Sequence, residues 1–294
     1  GAALLEKEWE KPDVVNLYIL GRNYWMYKKF YAGIPFVVSE QWSGYLNGNI
    51  EKYIYAKRRN TLNALRKADE IIAVSKQLAD AIKIYAQKEN VNIIPNIVTG
   101  GEIKPNIFGE TINILTIADL DDEIKNISGM IAGLKLASKY QKIHFKIIGE
   151  GKDKEKLKKL AEMNQDNHLK IEFCGHLPHA ELLKEYAWCN FYLLNSPVET
   201  FCVAAAEAIA SGRPVVSTNC GGPLNYLDEG NGIWMDENTP KGLAQRVEMM
   251  IFQLKQNDFD ANEVAVSIGE KYGADTIAKQ YITVLNAAIN KKQA

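Results

Sequence analysis

Short apolar runs alternate with longer mixed stretches of polar and apolar residues from residue 11 to residue 96. Apolar runs bounded by Gly, Pro and Asn are typical of buried strands, and the mixed stretches are typical of helices. The predicted strands cover 11–20, 34–42, 70–75 and 91–96, and the predicted helices cover 2–10, 21–33, 49–68 and 76–88. Because strands that alternate with helices form parallel sheets, we predict a parallel, doubly wound α/β sheet here.

A second alternating series follows a Gly- and Pro-containing stretch, 97–110, that is typical of a linker. Its predicted strands cover 112–118, 142–149, 169–175, 189–195, 213–218 and 232–235. Its predicted helices cover 126–140, 151–164, 179–188, 200–211 and 222–228. This series is sufficient for one complete Rossmann-like domain. We therefore predict domains at 1–105 and 106–272, and a C-terminal helix at 273–294 that packs back towards the first domain.

The composition is that of a globular protein with sizeable cores. The chain has 294 residues, of which 47% are hydrophobic, and no apolar run approaches the roughly 18 residues of a membrane span. No signal-peptide pattern opens the sequence, and the four cysteines are scattered. We therefore expect a reduced, cytoplasmic protein with small buried thiols.

No pattern in the sequence indicates a metal site. No Cys-x-x-Cys pair occurs, and His176 and His179 have no further Cys, His or acidic cluster beside them to complete a set of ligands. We therefore interpret both residues as loop histidines.

The net charge of −1 is unevenly distributed. Residues 1–99 contain 14 Lys/Arg and 10 Asp/Glu, whereas the remainder contains 21 and 26. The basic excess is concentrated in 52–67, where Tyr53, Ile54 and Tyr55 lie among the charges. Nucleic-acid binding calls for a stronger and more continuous basic surface, so we exclude it. The basic stretch indicates either a solvated helix face or contact with anionic lipid headgroups.

The stretch with the clearest chemistry runs from Ser196 to Gly222. An apolar strand precedes Glu199 and an Ala-rich helix follows it, so Glu199 lies at a strand-to-helix turn. Thr200 is in a position to cap this helix. Glu207 lies about 12 Å further along, at about 1.5 Å per residue. Two carboxylates near a helix start can accept hydrogen bonds from the hydroxyls of a sugar nucleotide.

The same turn offers a phosphate site. The first free N–H groups of the helix, near Phe201 and Cys202, carry partial positive charge. The next strand, PVVST, leads to Gly221 and Gly222, where backbone can approach a ligand without side-chain interference. The sequence therefore predicts a phosphate site flanked by two carboxylates.

These motifs resemble the donor-site signature of the family-four glycosyltransferases, which are retaining enzymes of the GT-B fold. The shared features are Glu-Thr-Phe, a second Glu, a Pro-Val-Val strand and a Gly-Gly turn. The strings KADEIIAVSKQLAD, IIPNIV, IIGEGKDKEKL and FCGHLPHAEL extend the resemblance over nearly the whole chain. The resemblance implies two Rossmann-like parallel-sheet domains facing a cleft. It also implies that the N-terminal domain is incomplete, since the family's opening strands and Gly-rich loop are not found, and hence donor binding with little transfer.

By this resemblance, Glu199 and Lys125 are the catalytic residues. Glu199 would bind hydroxyls of the donor sugar, and Lys125 would neutralise charge on the leaving nucleotide. Without the resemblance, Lys125 is an ordinary charge at a helix start. Glu207 would bind the ribose. The remaining donor-binding residues implied by the resemblance, at the diphosphate and the base, are Thr200, Phe201, Cys202, His176, Leu177, Gly221 and Gly222.

Four positions depart from the family pattern. Asp119 stands where an arginine is usual, and a carboxylate beside a diphosphate repels it. Cys202 replaces a glycine, and Asn225 replaces an acid. Gln41, on the acceptor side, stands where a histidine is frequent, and it can hydrogen-bond but cannot take a proton.

The resemblance implies transfer of a sugar from a nucleotide-sugar donor to a glycan or lipid-linked acceptor, with retention of configuration, in surface polysaccharide synthesis. No metal or cofactor is expected, and the enzyme would work in the cytoplasm or at the inner face of the membrane. Two alternatives stay open: a non-catalytic sugar-nucleotide-binding module, favoured by Asp119 and Gln41, and a sugar-nucleotide epimerase, which needs no acceptor. A nicotinamide dehydrogenase is disfavoured, since no Gly-x-Gly-x-x-Gly follows an early strand.

Overall fold

A computed structural model describes residues 11–20 and 24–293 of the chain. The helix predicted over 2–10 lies outside the described residues, as does the beginning of the helix predicted over 21–33. Contacts between Cα atoms divide the chain into two compact units, Gly1–Asn96 with Ala274–Ala294, and Ile97–Gly273. Each unit is built on a parallel β-sheet.

The first unit follows the predicted alternation of strands and helices. Its elements before residue 97 are β1 (Val15–Tyr18), α1 (Tyr24–Phe30), β2 (Phe36–Glu40), α2 (Tyr55–Lys67), β3 (Glu70–Ala73), α3 (Lys76–Ala86) and β4 (Asn92–Ile93). The strands form a parallel sheet in the order β1-β2-β3-β4. β2 and β3 are buried along their whole length, as expected for interior strands of a parallel sheet. The predicted parallel sheet is confirmed.

The prediction of one long helix over 49–68 is wrong for its first six residues. Its first four residues form a 3-10 helix, and Tyr53 and Ile54 then have extended backbone before α2 begins. The ring of Tyr53 stacks on Trp42, with 5.1 Å between the ring centroids and 17° between the planes. This aromatic contact anchors the extended segment that separates the two helices.

The second unit is larger. Its strands are β5 (Thr111–Ile117), β6 (Lys142–Ile148), β7 (Leu169–Gly175), β8 (Phe191–Leu194), β9 (Val215–Thr218) and β10 (Gly232–Met235). Its α-helices are α4 (Asp122–Lys125), α5 (Ile127–Ala137), α6 (Lys154–Asn164), α7 (His179–Trp188), α8 (Val203–Ala210), α9 (Pro240–Lys255) and α10 (Ala261–Ile268). The strands form a parallel sheet in the order β10-β9-β8-β5-β6-β7. Each predicted strand of this series is confirmed, and the sheet is Rossmann-like.

The order of the strands reverses at β5. This strand pairs with β6 on one side and with β8 on the other. In open α/β sheets, ligands bind outside the carboxyl ends of the strands at the point where the order reverses. Lys125 follows β5 in the chain and Glu199 follows β8. The topology therefore brings the two predicted catalytic residues to the position where a ligand is expected.

The boundary between the units lies after Asn96, earlier than the position 105 predicted from the sequence. The segment that follows is attached to the second unit by hydrogen bonds rather than being a free linker. The N–H of Gly101 donates to Ser211 Oγ at 2.8 Å. The side-chain amide of Asn106 donates to the carbonyl of Asn190 at 2.7 Å. These long-range contacts have no local signature in a Gly- and Pro-containing stretch.

The last helix, α11 (Ala274–Gln293), belongs to the first unit. Three of its residues, Ile277, Val284 and Ala288, are buried in one apolar cluster. The cluster includes Val37 of β2 and Ile72 of β3. The end of the chain therefore completes the core of the four-stranded sheet.

Candidate functional site

The turn after β8 is fixed by backbone pairing with the turn after β9. The N–H of Glu199 donates to the carbonyl of Cys220 at 2.7 Å, and the N–H of Gly222 donates to the carbonyl of Glu199 at 2.8 Å. Gly221 has a φ of +102°, which favours glycine. A Cβ at Gly222 would lie 2.4 Å from the backbone nitrogen of Phe201. Both glycines are therefore required by the backbone that positions Glu199.

Lys125 and Glu199 form an ion pair at this turn. The Nζ atom of Lys125, the last residue of α4, lies 2.6 Å from Glu199 Oε1, and the two side chains are 20% and 12% exposed. Burial alone would lower the pKa of Lys125. The attraction and hydrogen bond of Glu199, with smaller contributions from Cys202 and Asp119, outweigh burial and raise this pKa above its ordinary value. Lys125 is therefore a fixed positive charge at the carboxyl ends of β5 and β8.

The helix after the turn begins later than predicted, and Thr200 does not cap it. The N-cap residue of α8 is Cys202, which has left-handed backbone (φ +64°) and makes no side-chain capping hydrogen bond. The first N–H groups of a helix have no partners within it, so the start of α8 carries partial positive charge. Cys202 follows Glu199, the partner of Lys125, by three residues, so this helix start belongs to the same turn as the ion pair. The arrangement suits an anion.

A buried aromatic cluster supports the turn. Phe201 is 1% exposed and belongs to the core, so contact between its backbone and a diphosphate stays a prediction. Its ring packs against Tyr226 and Tyr272, with ring centroids 5.2 and 5.6 Å away. The Tyr226 hydroxyl lies 2.9 Å from the carbonyl oxygens of both Phe201 and Cys202 and donates to them. Sequence reasoning missed Tyr226, because the Gly-, Pro- and Asn-containing segment around it gives no sign that its hydroxyl is buried against the start of α8.

Glu207 lies in α8 with both carboxylate oxygens hydrogen-bonded. Its Oε2 accepts from the hydroxyl of buried Tyr186 at 3.1 Å, and its Oε1 lies 2.8 Å from Nε2 of His179. The side chain of Glu207 is 8% exposed, whereas that of His179 is 55% exposed. Burial, with the nearby Tyr192 and Glu207, raises the pKa of Tyr186 well above its ordinary value, so its hydroxyl remains a donor. A phenol and an imidazole thus hold the buried carboxylate.

The interpretation of His179 as a loop histidine is wrong. It is the first residue of α7, and its ring reaches Glu207 on α8. His176 and Leu177 precede it in the segment after β7, where His176 is exposed and Leu177 is half-buried. Contact between this segment and a nucleotide base stays a prediction.

The positions that depart from the family pattern have different surroundings. Asp119 is exposed, and its charge contributes to the raised pKa of Lys125, so its carboxylate lies within electrostatic reach of the ion pair. The side-chain amide of Asn225 donates to the carbonyl of Gly222 at 2.7 Å and so stabilises the Gly-Gly turn. Gln41 belongs to the first unit, where it follows β2 and is half-buried.

The cysteines of the chain are free thiols. Burial raises the pKa of Cys189 to about 12 and that of Cys220 to about 11, so both stay protonated at neutral pH. Within residues 11–20 and 24–293, no group of three or more His, Cys, Asp or Glu residues could hold a metal ion.

Two α/β units with parallel sheets, the second of them Rossmann-like, are the architecture expected of the GT-B fold. The sequence profile of the family described as Glycosyl transferases group 1 matches residues 102–262, which is more than half of the chain. The chain belongs to this family. The fold and family expected from the resemblance are therefore confirmed.

Curated relatives match parts of the chain. One subunit of the human phosphatidylinositol N-acetylglucosaminyltransferase is 34% identical over 194 residues, or 61% of this chain and 39% of that protein. A GDP-mannose-dependent alpha-mannosyltransferase of Corynebacterium glutamicum is 36% identical over 107 residues, or 36% of this chain and 24% of that protein. The matches thus span less than half the length of these two relatives.

Solved structures share the fold over nearly the whole chain. TarM of S. aureus superposes with a TM-score of 0.79 at 18% identity, over 97% of this chain and 58% of that one. Sucrose-phosphate synthase from Thermosynechococcus elongatus has a TM-score of 0.79 at 15% identity, over 95% of this chain and 74% of that one. At these identities the likeness establishes the fold alone.

Proposed function

We propose that this chain carries the donor site of an enzyme that transfers a sugar from a nucleotide-sugar donor to a glycan or lipid-linked acceptor with retention of configuration. The observation that carries the proposal is the Lys125–Glu199 ion pair, which lies beside the start of α8 where the strand order reverses. Glu207 follows on the same helix. A positive charge, free N–H groups and two carboxylates match the diphosphate, sugar and ribose of one nucleotide sugar.

The diphosphate would lie against Lys125 and the leading N–H groups of α8. A lysine and a helix start both stabilise the negative charge that grows on the departing phosphate. The raised pKa of Lys125 keeps the lysine charged at neutral pH. Gly221 and Gly222 would let the backbone approach the ligand without side-chain interference. The N–H groups near Cys202 would donate hydrogen bonds to the diphosphate.

Glu199 would accept hydrogen bonds from hydroxyls of the donor sugar. Its Oε1 is paired with Lys125, which leaves Oε2 to accept from a hydroxyl. Glu207 would accept from the ribose hydroxyls, and the backbone of His176 and Leu177 would contact the base. Retention would follow if the departing phosphate helps to deprotonate the incoming hydroxyl on the same face of the sugar. We propose that this path uses neither a metal nor a cofactor.

The acceptor would be bound on the side of Gln41, whose amide can hydrogen-bond to a hydroxyl. The name of one relative includes phosphatidylinositol, which supports a lipid-linked acceptor. We infer a role in surface polysaccharide synthesis, in the cytoplasm at the inner face of the membrane.

The basic stretch 52–67 would contact the anionic membrane surface. At its start, Ile54 and Tyr55 are 75% and 77% exposed. Each basic residue near an anionic surface contributes about 1 kcal/mol. Of the helices that the structure describes, none is long and apolar enough to cross a membrane.

Vesicle binding tests this contact. Binding to anionic vesicles should fall steeply with added salt, and it should be lost when Arg58 and Arg59 are both changed to Glu. Equal binding to neutral and anionic vesicles would contradict this contact.

A sugar-nucleotide-binding module without transfer activity is the second candidate function. Asp119 favours it, because an exposed carboxylate near Lys125 offsets part of the positive charge that would stabilise the leaving diphosphate during transfer. A module would bind the donor through the same residues without turnover.

Turnover of labelled UDP-, GDP- and ADP-sugars separates these functions. Transfer to an acceptor that is lost in Lys125→Ala supports the transferase, binding without turnover supports the module, and interconversion of free sugar nucleotides supports an epimerase. Lys146→Ala is the matched control, because Lys146 pairs with Glu185 at 2.7 Å with side chains 15% and 23% exposed. If none of the three nucleotide sugars bound to the chain, the proposal would be contradicted.

A further inference from the structure

Glu207 has a partner on its solvent side that the proposed function does not use. Of the two groups bonded to its carboxylate, Tyr186 is 0% exposed, whereas the His179 side chain is 55% exposed. With both partners in place, the Glu207 side chain is only 8% exposed. A ribose that approaches from solvent therefore meets the imidazole before it meets the carboxylate.

Tyr186 and His179 supply the hydrogen bonds that the buried Glu207 carboxylate needs. A buried carboxylate without hydrogen-bond donors is strongly unfavourable. Tyr186 satisfies Oε2 and His179 satisfies Oε1. A ribose hydroxyl is also a donor, so it can replace the imidazole by exchanging one hydrogen bond for another.

His179 is the partner that is free to move. It is the first residue of α7, and within the described part of the chain the hydrogen bond of its ring is the one to Glu207. Tyr186, by contrast, is enclosed in the core of the second unit, where its ring lies 6.4 Å from that of Tyr192. Only the imidazole can leave without disturbing the core.

We propose that His179 is an exchangeable partner of Glu207, which occupies Oε1 while the nucleotide is absent and is displaced when a ribose hydroxyl takes its place. This inference rests on the proposed function, in which Glu207 binds the ribose. His179 then sets the affinity for ribonucleotides, because each binding event must break the hydrogen bond between His179 and Glu207.

Calorimetric titration of the full chain tests this role. The ligands are UDP or GDP, whichever binds, and the 2′,3′-dideoxy analogue of that nucleotide. His179→Ala should bind the ribonucleotide about 10-fold more tightly, as expected when one hydrogen bond to a charged carboxylate need not be broken. The dideoxy analogue should bind both proteins equally, because it has no hydroxyl to displace the imidazole.

The control is Lys184→Ala, which changes an exposed residue of the same helix and should match the wild type for both ligands. Weaker ribonucleotide binding by His179→Ala would mean that the imidazole stays and assists, and it would overturn the proposal. An equal change for both ligands, or no change for either, would also overturn it.

Glu207→Ala separates this inference from the proposed function. If Glu207 binds the ribose, this variant loses the preference for the ribonucleotide over the dideoxy analogue, whatever His179 does. A Glu207→Ala protein that keeps the preference would contradict the ribose assignment itself. A loss of preference together with an unaltered His179→Ala protein would contradict only the exchange.

Discussion

The two glutamates of the candidate donor site differ in what holds them. Glu199 lies in a turn fixed by backbone hydrogen bonds, and its side chain pairs with Lys125, which belongs to α4 at the end of the neighbouring strand. Glu207 lies within α8, and its side chain is held by the phenol of Tyr186 and the imidazole of His179. Both carboxylates are mostly buried.

The difference assigns each glutamate a different task. A carboxylate paired with a lysine is a nearly neutral unit, whose two groups can separate and contact different parts of a ligand. A carboxylate held by hydrogen-bond donors is already arranged for other donors, such as ribose hydroxyls. We therefore expect Lys125 and Glu199 to act on the reacting sugar phosphate and Glu207 to act on the nucleoside.

The largest effect is expected at Lys125. Lys125→Ala removes the positive charge opposite the leaving diphosphate, so kcat for transfer should fall by about 10²–10³-fold. Initial rates at saturating donor measure the loss. The matched variant Lys146→Ala, which breaks the ion pair between Lys146 on β6 and Glu185 on α7, should keep nearly full kcat. If the two variants behaved alike, Lys125 would have no special role.

The next effect concerns affinity rather than rate. Glu207→Ala should weaken nucleotide binding by about 1.5–3 kcal/mol, as expected for hydrogen bonds to a charged group. Glu207→Gln should lose less, because one acceptor oxygen remains. Calorimetry that gave wild-type affinity for both variants would remove Glu207 from the site.

A smaller effect is expected at Cys202, the N-cap residue of α8, which lies between the two glutamates in the chain. Its φ of +64° is unfavourable for a residue with a Cβ atom, by about 1–2 kcal/mol. Cys202→Gly should therefore raise the free energy of unfolding by about 1 kcal/mol, since the greater flexibility of unfolded glycine offsets part of the gain. Cys202→Ala keeps the Cβ atom and should give no such gain. Urea unfolding that ranked the two variants equally would contradict the strain.

The smallest effect is expected at Asp119. Asp119→Arg should tighten binding of a nucleoside diphosphate at low salt, and the gain should shrink as salt screens these exposed charges. Because pairs of exposed charges contribute only about 0.2–1 kcal/mol, the gain should be no more than about 5-fold. A neutral result at low salt would mean that the Asp119 carboxylate does not face the diphosphate.

Much of this comparison could be predicted from the sequence. The strands of the second unit are apolar runs bounded by turn residues, which are local signals. Motif spacing and family resemblance predict Glu199, Glu207 and Lys125 as site residues. The topology then explains why Lys125 and Glu199 meet, because the strands that precede them, β5 and β8, are neighbours in the sheet.

The rest depended on contacts between elements. His179 was misjudged because its partner, Glu207, lies on another helix 28 positions later in the chain. Thr200 was predicted to cap α8, but the left-handed backbone of Cys202 moves the start of the helix beyond it. A local pattern carries information on neither helix adjacency nor the backbone of a non-glycine turn residue.

The central claim is that one nucleotide is held at its diphosphate by Lys125 and at its ribose by Glu207. Calorimetric titration with the nucleoside, the nucleoside monophosphate and the nucleoside diphosphate of the base that binds tests this claim most directly. Lys125→Ala should weaken binding of the diphosphate but not of the nucleoside, whereas Glu207→Ala should weaken binding of all three ligands alike. Equal losses in both variants for every ligand would contradict the claim.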